Sequence, residues 1–128
     1  MEQLLSEESA QEQLQLLLDY YGANLEELGS VANHIRSRLL TAISQGKVEI
    51  VVSDEGLRVT QNLRSNKSLV YHEATGQAKV VMERYNGPHE KLYNLLAVLS
   101  KRPVAEIQRL AGIDLSIAEC LAAVFLTG

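Results

Sequence analysis

The spacing of apolar residues changes period twice along this chain, and that change limits the folds open to it. Up to Gly46 the apolar positions recur as on one face of a helix; from Val48 to Tyr71 they alternate; beyond Pro88 the helical spacing returns. A period of 3.6 cannot be sustained as a strand, nor a period of 2 as a helix. The expectation is an α+β fold: an N-terminal helical hairpin over 1–46, a three-stranded antiparallel β-meander over 47–73, and a C-terminal cluster of three to four short helices over 77–126. No Gly/Ser/Pro-rich linker interrupts the chain, so its 128 residues read as a single domain over 1–128.

Local signals refine this outline. Ser9-Ala10-Gln11-Glu12 fits a capping box, ahead of Leu14, Leu17, Leu18 and Tyr21 on one helical face, with Gly22 as the left-handed stop. Asn24 reads as a second N-cap, with Glu26 and Glu27 at the positive helix end. Behind it, Leu28, Val31, Ala32, Ile35, Leu39, Ala42 and Ile43 form a stripe that Gly46 ends. In the sheet, Ser53–Gly56 and Arg64–Lys67 have turn composition. The solvent face is expected to carry Glu49, Arg58, Thr60, Asn62 and His72, leaving sheet edges able to pair with another copy. QAKVVMERY (77–85) contains helix formers; Pro88 and Pro103 start further helices, Gly112 closes one, and Asp114 caps the last.

The last of these helices stands apart. Leu115, Ile117, Ala118, Cys120, Leu121, Ala122, Ala123, Val124, Phe125 and Leu126 leave it apolar almost all round, so it is either central to the core or faces a partner.

Charge and composition narrow the function classes. Apolar residues make up 46 % and charged residues 22 %, values of a globular chain rather than a disordered one. No apolar run reaches bilayer-spanning length and the start lacks the pattern of a secretory signal, so a cytoplasmic protein without a membrane partner is expected. The single cysteine cannot form an internal disulfide. Residues 1–55 hold ten acids and three bases; residues 56–128 hold nine bases and six acids; the net is −4. That balance is far from the basic excess of a nucleic-acid binder.

Catalytic patterns are missing. His34, His72 and His89 have no metal-ligand spacing, and Cys120 lies on an apolar helix like a small buried hydrophobe. Thr75–Lys79 lacks the first glycine and the Gly-Lys-Ser/Thr end of a phosphate loop. No enzyme, metal site or cofactor is expected. Residues 104–126 have the outline of a helix-turn-helix, with Ile107, Ala111, Gly112, Ile113, Ala118 and Leu121 at core and turn positions. However, Gln108 stands where a small residue belongs. LSIAECLAAVFLTG, moreover, offers no Arg, Lys, Asn or Gln to base edges.

Over residues 68–126, SLVYHEATG, QAKVVMERYNG, LYNLLAVLSKRP and AEIQRLAGIDLSIAECLAAVFL together resemble the phage tail assembly chaperones of long-tailed and Mu-like phages, with Ala74 where that family commonly carries proline. The resemblance implies a non-enzymatic protein that binds the tail tape measure protein during assembly and helps recruit the tail tube protein. An amphipathic helix laid in an apolar groove is the binding mode this suggests. Leu96, Leu99, Ile117, Val124, Phe125 and Leu126 are then the expected partner-binding residues. Two other readings stay open: a DNA-binding regulator using 104–126, and a self-assembling phage structural protein pairing through its sheet edges.

Overall fold

The computed structural model describes residues 6–54, 56–73, 75–76, 78, 80, 83–85 and 87–127. Helix α1 spans Glu7–Tyr21. Its cap is Ser6 rather than Ser9: the Ser6 Oγ accepts the Ser9 amide at 3.1 Å, placing Ser9 inside the helix. The capping box fails because Ser6 already satisfies a first-turn donor, and Glu7 and Glu8 then lie at the positive helix end. Gly22 ends α1 with φ 64°, its N–H reaching the Asp19 and Leu18 carbonyls as the sequence led us to expect.

Asn24 does cap the next segment, its Oδ1 accepting the Glu26 amide at 3.0 Å. That segment is not one helix, however. Leu25–Val31 is a 3-10 turn, and Gly29 (φ 65°, ψ −130°) breaks the path before α2 begins at Ala32 and runs to Ser44. The stripe is therefore interrupted: Val31 is 49 % exposed, while Ile35, Leu39, Ala42 and Ile43 are buried.

Strands β1 (Val48–Ser53), β2 (Gly56–Asn62) and β3 (Ser68–His72) form the antiparallel meander in the order β1-β2-β3. The register sets Ile50 beside Val59 and Val59 beside Tyr71, one buried row across the sheet. Leu57, Gln61 and Leu69 face the same way. Glu49, Arg58, Thr60, Asn62 and His72 occupy the opposite face, as alternation requires.

The C-terminal part contributes α3 (Pro88–Ser100), α4 (Val104–Gln108) and α5 (Gly112–Thr127). Pro88 sits in the first turn of α3, and Lys101 (φ 58°) turns the chain out of it. Gly112 opens α5 instead of closing α4, and Asp114 lies within the first turn of α5 rather than before it. The helix expected over 77–85 falls partly outside the described residues; Gly76, Ala78 and Val80 are helical, and Ala78 is buried.

Helix α5 settles the ambiguity of its sequence by taking the centre. It packs against α1, α2 and α3, and Ile117, Ala118, Leu121, Ala122 and Val124 are at most 1 % exposed. Phe125 joins it to two other layers: its ring lies 5.3 Å from that of Tyr21 on α1 and 5.9 Å from that of Tyr71 on β3. Gln61 ties the sheet to the start of α5. Fully buried, it donates through Nε2 to the Asp114 carbonyl at 2.8 Å and accepts the Tyr71 hydroxyl at 2.7 Å. Both halves of its amide are thus satisfied, as a buried polar group requires.

Candidate partner-binding surfaces

The six residues expected to meet a partner do not form a surface. Leu96, Leu99, Ile117, Val124 and Phe125 are all buried at 4 % exposure or less; only Leu126, at 45 %, reaches solvent. The reason is geometric. The helix that is apolar all round packs against three helices and reaches the sheet through Phe125 on Tyr71 and the Asp114 carbonyl on Gln61. The helix that would face bases in the 104–126 unit is this same core helix.

An accessible concavity among the described residues lies elsewhere, in the part of the chain for which the sequence suggested no role. A groove of about 500 Å³ runs between α1 and α2, lined by Glu7, Ala10, Asn33, Arg36, Ser37, Leu40, Thr41, Ser44 and Gln45. A smaller one of about 180 Å³, lined by Gln11, Leu14, Gln15, Arg36 and Leu40, borders it, sharing Arg36 and Leu40. Beneath the lining lie the buried Ala10 and Leu14, and the partly buried Leu40 is the apolar side chain the groove exposes. The α2 wall is small and polar: Ser37, Thr41 and Ser44 recur at one-turn spacing. Small side chains allow a close approach of another backbone. Arg36 supplies the positive charge of the groove and is held loosely, 3.8 Å from the exposed Glu26. The only trace of this groove in the sequence is the run of small polar residues beside an apolar stripe, a pattern also found on ordinary solvated helices.

Other exposed apolar side chains include Leu16 and Tyr20, one turn apart on α1. Val51 and Val52 (47 % and 42 % exposed) lie on edge strand β1, whose earlier residues Val48 and Ile50 are covered.

His34 and His89 are exposed, and the His89 ring sits 5.9 Å from that of Tyr93. Tyr93 donates to Glu119 at 3.2 Å, and burial together with that carboxylate holds its hydroxyl above the usual range. The Cys120 thiol is buried and pushed up by desolvation, which disfavours the reactive thiolate. Tyr20 is raised chiefly by its hydrogen bond to Glu73. Among the described residues, no three His, Cys, Asp or Glu side chains come together as metal ligands, and no helix is long and apolar enough to cross a membrane.

In comparisons with protein-family models, curated proteins and solved structures, nothing matches this chain.

Proposed function

We propose that this protein is a non-enzymatic tail assembly chaperone that holds amphipathic helical segments of a tail tape measure protein. The observation that carries the reading is the open groove between α1 and α2. A client helix laid there would complete a three-helix layer, its apolar residues against the partly buried Leu40 and its backbone close to Ser37 and Thr41. An acidic residue of the client would meet Arg36.

The binding surface then lies on residues 7–45, whereas the resemblance to the chaperone family rests on residues 68–126. The two support the reading in different ways: the C-terminal part carries the resemblance, and the N-terminal hairpin offers the groove. Tail tube recruitment belongs to the same proposal, without a surface of its own. The test is co-purification of the tagged chain with the tape measure protein encoded in the same genome. Stoichiometric recovery of that long helical protein supports the reading, and a chain recovered without it contradicts it.

A further inference from the structure

A second concavity, remote in sequence from the first, has the opposite electrostatic character. It is a cleft of about 310 Å³ between the β2–β3 turn and α4. Leu63, Leu69 and Leu110 supply its apolar lining, and Lys67, Arg102 and Arg109 its positive charge. Arg102 is shared with Glu106 at 3.8 Å, while the side chains of Lys67 and Arg109 make no hydrogen bond or ion pair with any described residue. A cleft with two unneutralised cations beside leucines is suited to an anionic segment carrying an apolar side chain. Glu106 within it, and the leucine lining, disfavour a run of phosphates.

The chain itself displays such a segment. On the outer face of α1, turned away from the α1–α2 groove, Glu8, Glu12 and Asp19 are exposed together with Leu16 at 41 %. Their spacing of four, four and three residues sets all of them on one stripe. Glu12 and Asp19 stand about 10 Å apart along the axis, with Leu16 near the middle.

We propose that this acidic stripe of α1 from a second copy docks in the Lys67–Arg109 cleft, its Leu16 against the leucine lining. The two surfaces are different patches of one molecule, so the contact is heterologous and joins copies head to tail. The inference is independent of the client reading, since it concerns the purified chain alone.

Sedimentation velocity over a concentration series is the test. The native chain is expected to gain mass with concentration at low salt and to lose it as salt screens the contact. Lys67→Gln with Arg109→Gln, and separately Glu12→Gln with Asp19→Asn, should each weaken association by roughly tenfold or more. All four positions are exposed, and circular dichroism checks that the fold is kept. Mixed one to one, the two variants retain one good cleft and one good stripe between them and should stop at a dimer. A native chain that stays monomeric at low salt, a mixture that stays monomeric, or variants that associate as the native chain does would overturn the proposal. So would a cleft that takes up a single-stranded oligonucleotide in place of a second copy.

Discussion

Phe125 and Leu126 are neighbours in sequence with opposite fates, and they show how single residues carry this fold. Phe125 is 4 % exposed between two tyrosine rings, and Leu126 is 45 % exposed. Phe125→Ser should cost about 3–5 kcal/mol, a large part of a small domain's stability, whereas Leu126→Ser should stay within about 0.5 kcal/mol. Chemical denaturation of both variants checks the contrast. Gln61 and Tyr71 set a second test. Tyr71→Phe leaves the Gln61 Oε1 without its donor in a dry site, and should cost about 1–3 kcal/mol. Burial pushes the Tyr71 hydroxyl well above the ordinary 10.0, so the folded state holds that proton more tightly than the unfolded chain. Its contribution is complete below pH 10.0 and is lost as pH rises above that value. Denaturation midpoints measured across that range should fall with pH in the native protein and fall less in Tyr71→Phe.

At the level of elements, alternation and helical spacing revealed the meander, α1, α3 and the apolar nature of α5, because each is a repeated signal over several residues. Single-residue signals were less decisive. Ser6 rather than Ser9 caps α1, and Gly112 opens a helix instead of ending one, because either glycine or serine suits both roles and tertiary packing selects one. Gly29 had the larger consequence. The stripe from Leu28 to Ile43 read as continuous, but Gly29 at φ 65° and ψ −130° lets the 3-10 segment turn so that Leu25 is buried while Val31 is left outside. Nothing lies within 4 Å of where a Cβ would sit, so Gly29→Ala meets no clash. Its penalty is backbone strain alone, about 1–3 kcal/mol, readable as a lowered melting temperature.

The molecule as a whole explains why the candidate site was the least legible part of the sequence. Apolar content marked α5 as either core or interface, and only the assembled layers decide between them. With one sheet face to cover and α1, α2 and α3 to join, α5 is consumed internally, taking Leu96, Leu99, Ile117, Val124 and Phe125 out of reach. The groove between α1 and α2 is a property of how those two helices pack, lined by residues such as Ala10, Ser37 and Thr41 that carry no signal individually. Client binding, as proposed, depends on that groove. Ser37 and Thr41 are exposed, so Ser37→Trp with Thr41→Arg fills it without entering the core. The deciding measurement is quantitative co-purification of the tape measure protein with the native chain and with this double variant, both checked for folding. We predict stoichiometric recovery with the native chain and loss of the client with the variant. Equal recovery by both would contradict the assignment of the α1–α2 groove as the client-binding surface.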